Sequence, residues 1–241
     1  MRRLLLPDID ASAEIRIGGE KAHYLSTVLR FREGEELILF DGRGASYRAR
    51  ITRMTKREVR AEILGIAQAD AESPLDICLI QGLLKGDKMD FVVQKTTELG
   101  VKEIIPAVTG RSQSRDTRKV PRWRKIAEEA SQQCGRTTVP HVHDTLLFEE
   151  IFSPSGVRAR CHGLLFWEEE GTGFHKALQG LKALGPLSIA IGPEGGFTRE
   201  EATRGESAGL LVTSLGKRIL RAETAAIATA AILQFSLGDL G

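Results

Sequence analysis

Long apolar runs are missing from this chain. None approaches the roughly 18 residues that a membrane-spanning helix needs, so no membrane segment is expected. The opening Met1-Arg2-Arg3-Leu4 reaches Pro7 and Asp8 without the apolar stretch of a signal peptide, which points to a cytoplasmic protein. Cysteine is scarce as well. Cys78, Cys134 and Cys161 are odd in number, far apart and in no C-x-x-C pair, which excludes a disulfide framework and a zinc spacing and leaves them the part of small buried hydrophobes. The five histidines offer no metal set either. His141 and His143 flank Val142 and share a face if that segment is a strand, but no third ligand follows at a recognised spacing, so both are expected at the surface and no metal is expected. Net charge is nearly absent, at +2.

Two loops dominate what is present. Ile191 to Phe197 reads Ile-Gly-Pro-Glu-Gly-Gly-Phe, and Ser214 to Ala225 reads Ser-Leu-Gly-Lys-Arg-Ile-Leu-Arg-Ala-Glu-Thr-Ala. Each follows strand-like residues and leads into a helix, so each is a backbone-lined loop at the carboxyl end of a strand, where open α/β sheets bind ligands. Gly192, Gly195 and Gly196 permit close approach and positive φ, and Pro193 stiffens the turn. Thr198 with Glu201 three residues on is a capping-box pattern that starts a helix. Free backbone N–H groups at such a helix start suit phosphate. Yet no Gly-Lys-Ser/Thr follows Gly196 and the glycine spacing is not that of a dinucleotide fold, which excludes P-loop and Rossmann sites. One loop alone reads equally well as a tight turn. The second, with its Gly216 turn, Lys217 and Arg218, then Arg221, Glu223 and Thr224 opening an alanine-rich helix, makes a ligand site of the pair.

With 241 residues, 41% of them hydrophobic, the chain can fill a small domain and a larger one. Short alternating segments at 36–40, 47–52 and 58–64, separated by Gly34, Asp41-Gly42-Arg43-Gly44 and Met54-Thr55-Lys56, predict a small β-barrel over residues 1–68. The polar stretch 67–74, ending on Ser73-Pro74, reads as a linker. Residues 75–241 then alternate. Strands are predicted at 76–82, 102–108, 163–167, 187–191 and 210–214, and helices at 87–99, from Pro121 to Gly135, at 174–182, 199–207 and 222–237. That order predicts an α/β domain on a largely parallel sheet. Charge is uneven along the chain: seven basic residues between Arg43 and Arg60 meet only Glu58, and seven between Arg111 and Lys125 meet only Asp116. Such surpluses are either solvated faces or the footprint of phosphate-backbone binding.

Further segments join the two loops: Lys85-Gly86-Asp87-Lys88-Met89, Gln94-Lys95-Thr96-Thr97-Glu98-Leu99-Gly100, Arg122-Trp123-Arg124-Lys125-Ile126-Ala127-Glu128-Glu129-Ala130, Gln133-Cys134-Gly135-Arg136, His23-Tyr24-Leu25, Val28-Leu29-Arg30 and Phe40-Asp41-Gly42. Through them nearly the whole chain resembles the SPOUT-class RNA methyltransferases, and within that class the RsmE family. One departure stands out: Gly110-Arg111-Ser112 occupies the place where the family commonly has Glu-Arg-Ser. The resemblance implies an amino-terminal PUA-like β-barrel that binds RNA and a SPOUT α/β domain with a deep trefoil knot, paired as a homodimer. It implies S-adenosylmethionine-dependent methylation of N3 of a uridine in 16S ribosomal RNA of the small subunit. A SPOUT enzyme acting on another rRNA or tRNA position, and a non-catalytic RNA-binding assembly protein, remain as alternatives, although the latter has no need of two intact loops.

On that resemblance, loops after Trp167, Ile191 and Leu215 hold the cofactor. Backbone groups around Gly192, Pro193, Gly195, Gly196, Leu215, Gly216 and Leu220 bind it, while Phe166, Ile191, Ile219 and Leu220 border the adenine. Glu223 joins the cofactor set, and Thr224 donates to the cofactor or caps the last helix. Catalytic candidates are Arg221 and Glu194. Arg221 either stabilises negative charge on the uracil carbonyl oxygens or makes a salt bridge to Glu223 or Glu194 that orders the loop. Glu194 serves as general base, as cofactor ligand or as turn former. RNA contacts are expected from Arg2, His23, Arg30 and Arg43 in the barrel, and from Lys85, Arg111, Arg115, Arg118, Lys119 and Arg122 in the larger domain.

Overall fold

Residues 1–11, 14–67, 71–113, 117–169, 171–181 and 185–241 are described by a computed structural model. They fall into two units, Met1–Glu72 with Ser131–Val139 and Ser73–Ala130 with Pro140–Gly241.

The first unit is built on alternation. Its strands are β1 (Arg3–Leu5), β2 (Ile15–Gly18), β3 (Glu36–Phe40), β4 (Ser46–Met54) and β5 (Glu58–Ile66), with a short helix α1 (Gly19–His23) after β2. They form one five-stranded sheet in the order β1-β3-β4-β5-β2, parallel only between β1 and β3. In β4, Ala49 and Ile51 are buried while Arg48 and Arg50 face out, so the period-2 pattern read from the sequence sets the two faces of the sheet. Register shifts between Arg48 and Ala49 and between Ile51 and Arg53 add the local bends that curl such a sheet. Leu4, Ile17, Leu25, Phe31, Leu37, Leu39 and Val59 fill its concave side.

Cross-strand pairing changes the meaning of the basic run at 43–60. Arg50 lies 3.0 Å from Glu36 and 3.3 Å from Glu62, and Arg60 bonds Glu58 at 2.8 Å and reaches Glu14 at 3.5 Å. Arg48 also approaches Glu36, at 3.7 Å. Acids distant in sequence thus balance several of these cations, and the exposed side chains of Arg43, Arg53, Lys56 and Arg57 are the members of the run without an ion pair among the described residues.

The end of the expected linker is anchored rather than loose. Glu72 accepts hydrogen bonds from the backbone N–H groups of Thr137 and Thr138, both at 2.8 Å, and pairs with buried Arg136 at 3.1 Å. A carboxylate with that many donors binds 131–139 into the first unit, a grouping that the sequence does not announce. Residues 68–70 lie outside the described ones.

The second unit alternates strand and helix: β6 (Ile77–Gly82), α2 (Lys88–Glu98), β7 (Glu103–Val108), α3 (Val120–Cys134, shared with the first unit from Ser131), β8 (His141–Val142), β9 (Leu146–Leu147), α4 (Phe148–Ile151), β10 (His162–Phe166), β11 (Thr172–Gly173), α5 (Phe174–Gly180), β12 (Leu187–Ile191), α6 (Arg199–Ser207), β13 (Leu210–Ser214) and α7 (Ala222–Leu237). The sheet runs β11-β13-β10-β12-β6-β7-β8 with β9 against β7, and every pairing in it is parallel. β6 and β12 are buried at every position, as strands covered on both faces must be. Their apolar run is therefore continuous rather than alternating.

Near the end of α7, buried Gln234 ties three segments together. It accepts from Ser73 Oγ at 2.7 Å and donates to Leu99 O at 2.8 Å, while Ser73 Oγ accepts from Leu75 N at 3.0 Å. The helix is thereby fixed against the end of α2 and the entry to β6. The expected helix at 174–182 ends at Gly180, and Lys182 lies outside the described residues. His143 departs from its expected place at the surface: it is half-buried, with Nε2 2.9 Å from Glu103 Oε2, and the exposed His141 ring meets it edge to face. Cys78 is buried, and burial pushes its thiol up to about 12, whereas Cys134 and Cys161 are only half-buried. No described helix is long and apolar enough to cross a membrane.

Candidate active site

Three adjacent parallel strands, β13, β10 and β12, end side by side, and the loops that leave their carboxyl ends meet in one cavity of about 410 Å³. That is the place and the size range of small-molecule sites in α/β sheets, roughly 300–1,000 Å³. Phe166, Trp167 and Glu168 come from the β10 end, Ile191 to Glu194 with Gly196 from the β12 end, and Ser214 to Ala222 from the β13 end.

Local chemistry fixes each wall. Gly82 at the end of β6 lies so close to the β12 loop that a Cβ there would sit 2.6 Å from Pro193 N and 2.9 Å from Gly192 C, so a hydrogen is all the space allows. Gly196 adopts φ +68°, which glycine reaches at little cost. Thr198 and Glu201 form the capping box in both directions, Glu201 N to Thr198 Oγ1 at 3.2 Å and Thr198 N to Glu201 Oε2 at 2.9 Å, and thereby start α6 immediately after the loop. Glu201 Oε1 also accepts from Gly110 N at 2.8 Å. The segment carrying the family departure is therefore tied to the capping box through its main chain. Trp167 Nε1 donates to Phe197 O at 3.2 Å, and Arg111 Nη1 to Gly195 O at 2.9 Å.

Of the residues expected to hold a cofactor, Phe166, Ile191, Gly192, Pro193, Glu194, Gly196, Leu215, Gly216, Ile219 and Leu220 line this cavity, and Arg221 lines it with them. Ile219 does so from the rim, with 87% of its surface exposed. Gly195, Glu223 and Thr224 stand apart from the lining. Lys88, at the first turn of α2, is a lining residue that loop reasoning missed. Its Nζ lies 3.0 Å from Glu194 Oε1 and 3.8 Å from Glu223 Oε2, and Lys85 N also donates to Glu194, at 3.2 Å. Burial works to raise the Glu194 carboxyl, but the Lys88 hydrogen bond and those from backbone N–H groups outweigh it and hold the group below the usual carboxylate range.

The contacts of Glu194 and Glu223 bear on the salt-bridge reading of Arg221. Glu194 and Glu223 both turn to Lys88, and the exposed Arg221 guanidinium makes no ion pair among the described residues. A salt bridge from Arg221 to either acid, one of the two expected roles, does not occur among the described residues, and Lys88 approaches both of them.

The remaining basic candidates divide by unit. In the first, His23, Arg30 and Arg43 are exposed, and Arg2 donates to Leu29 O and stacks over Phe31. In the second, Lys85, Arg111 and Arg118 are exposed, Lys119 Nζ donates to Gly86 O at 2.9 Å, and Arg115 lies outside the described residues. Arg122 is engaged: its Nε lies 2.7 Å from Asp90 Oδ2, and Asp90 Oδ1 accepts from Trp123 Nε1 at 3.0 Å. That contact ties α3 to α2. No group of three or more His, Cys, Asp or Glu side chains placed to hold a metal ion occurs among the described residues.

A family described as RNA methyltransferase domain matches residues 71–234, and one described as RNA methyltransferase PUA domain matches residues 17–64. Ribosomal RNA small subunit methyltransferase E of Bacillus subtilis is 31% identical over 227 residues, which cover 90% of this chain and 88% of that protein. The crystal structure of the methyltransferase of the same name from Neisseria gonorrhoeae, bound to S-adenosylmethionine, matches with TM-score 0.91 and 34% identity over 100% of both chains. A Legionella pneumophila protein in complex with the same cofactor matches with TM-score 0.87 and 32% identity over 99% of this chain and 98% of that one.

The contact at Gly82 makes a quantitative expectation. Gly82→Ala lowers the free energy of unfolding by about 1–3 kcal/mol, the usual cost of overpacking. Gly173→Ala, where an added Cβ meets nothing within 4 Å, stays within about 0.5 kcal/mol of wild type. Urea titrations of both variants check this, and equal losses would contradict it.

Proposed function

The chain belongs to the family of RNA methyltransferases with an amino-terminal PUA domain, and we propose that it methylates N3 of a uridine in 16S ribosomal RNA of the small subunit, with S-adenosylmethionine as donor. The observation that carries this reading is the meeting of three strand-end loops in one cavity, in a chain that aligns end to end with a relative holding that cofactor.

The residues present fit the cofactor. Gly192 and Gly196 line the cavity with main chain, at Gly82, Gly192 and Gly196 an added Cβ would crowd the surrounding chain, and Phe166, Ile191 and Leu220 give the cavity apolar walls. When bound, S-adenosylmethionine supplies an activated methyl group, so the protein needs little covalent chemistry of its own. What this chain must do is hold N3 in line with that methyl and stabilise the negative charge that develops on the uracil as the N3 proton leaves. Arg221 suits the second task, because its guanidinium is permanently cationic, faces the cavity and is not engaged by Glu194 or Glu223. Glu194 suits a place in the cavity wall rather than proton abstraction, since a carboxylate held below its usual range is a weak base.

RNA contacts by the exposed cations of both units, a cytoplasmic location, the trefoil knot and pairing as a homodimer belong to the same reading. β12 lies between β6 and β10 although it follows both in the chain, a re-entry that supports the knot. Phe91 on α2 and Ile232 and Phe235 on α7, two helices packed together, are exposed large apolar residues, which supports burial against a second copy.

Incubation with methyl-labelled S-adenosylmethionine and small subunits lacking their uridine methylation, followed by nuclease mapping, tests the activity. Label is expected at N3 of one uridine, with Arg221→Ala reducing transfer by at least about 10²-fold, the scale of one lost charge-stabilising donor, while RNA binding persists. Label on another base would overturn the substrate assignment. Reversal of Arg43, Lys56 and Arg57 to Glu is expected to weaken rRNA binding and flatten its salt dependence by about three units of slope at most, whereas reversal of acid-paired Arg50 has the smaller effect. Equal slopes for both would make the first unit's basic face merely solvated.

A further inference from the structure

We propose that Lys88 is a positioning residue that joins two walls of the cofactor cavity, holding the loop after β12 and the first turn of α7 in the binding geometry through Glu194 and Glu223. The proposal rests on the reading of that cavity as the S-adenosylmethionine site.

The helix that carries Lys88 gives no reason for a cation there. Lys88 is the first residue of α2, and Asp87 before it makes no side-chain cap bond; an ammonium at this end opposes the helix dipole. Its contacts supply the reason. Nζ reaches Glu194 Oε1 at 3.0 Å and Glu223 Oε2 at 3.8 Å, and those acids belong to two different loop systems, one after β12 and one after β13. Glu223 Oε2 is buried with no hydrogen-bond partner, so Lys88 is the counterion that keeps a desolvated charge tolerable. The segment before α2 is itself fixed: Lys85 N donates to Glu194 at 3.2 Å and Lys119 Nζ to Gly86 O at 2.9 Å. Around this trio, Arg221, Lys217, Arg218 and Glu168 line the same cavity and Arg111 holds Gly195 O, but none of them forms an ion pair with Glu194 or Glu223 among the described residues.

Removing the ammonium would leave two carboxylates facing each other with one of them desolvated. The loops would then part, or one acid would take up a proton. With Lys88 in place neither happens, and the cofactor meets walls already assembled.

Isothermal titration of the full-length protein with S-adenosylmethionine and with S-adenosylhomocysteine, from pH 5.5 to 8, tests this. Wild type is expected to bind with nearly constant affinity. Lys88→Met is expected to bind about tenfold more weakly at pH 7.5 and to recover in part toward pH 5.5, as a carboxyl takes up the proton that replaces the lost ammonium. Lys88→Arg should stay within about threefold of wild type across the range. The decisive comparison is the double-mutant cycle: in a Glu194→Gln background, Lys88→Met should cost no more than about twofold further, because coupled residues are not additive. A full tenfold loss in that background, or wild-type affinity with a flat pH profile in Lys88→Met, would overturn the proposal. If Lys88→Met does not fold, Lys88→Gln carries the same cycle. Wild-type protein that binds neither compound would instead overturn the cofactor reading.

Discussion

The site depends on one close approach: the backbone of Gly192 and Pro193 lies against Gly82, nearer than any side chain at that position would allow. It fixes the carboxyl end of β12 to that of β6 and so directs the glycine loop over the sheet edge. The other restraints act on a loop already placed. Trp167 holds Phe197 O, Arg111 holds Gly195 O, and the Thr198–Glu201 box begins α6 where the loop ends. A loop with Gly192, Gly195 and Gly196 within five residues has much freedom to lose on folding. Here packing and hydrogen bonds within the chain remove that freedom.

Electrostatics follows from the same placement. Because the β12 loop is held beside the start of α2, Lys88 can serve Glu194 and Glu223 together, and Arg221 is left to face the cavity. One lysine therefore accompanies both acids. A similar division runs through the first unit, where Glu36, Glu62 and Glu14 occupy Arg50 and Arg60.

What was legible in the sequence is what depends on neighbours in the chain. The alternation of Ala49 and Ile51 with Arg48 and Arg50, the capping pair Thr198 and Glu201, the glycines of the loop and the full span of α7 are local signals, and the structure carries them. What was not legible depends on neighbours in space. Lys88 meets Glu194 across an interval of 106 residues, Arg122 meets Asp90 across 32, and Glu72 meets Thr137 across 65. Counting charges along the chain found two basic clusters but could not see the acids that strand pairing and helix packing bring to them.

The central proposal is that three separate loops together bind S-adenosylmethionine. Hydrogen exchange with and without S-adenosylmethionine tests it most directly. Protection is expected together in 166–168, 191–197 and 214–222, with exchange across β1 to β5 unchanged. Protection confined to one loop, or spread into the first unit while these three segments stay unaffected, would contradict it.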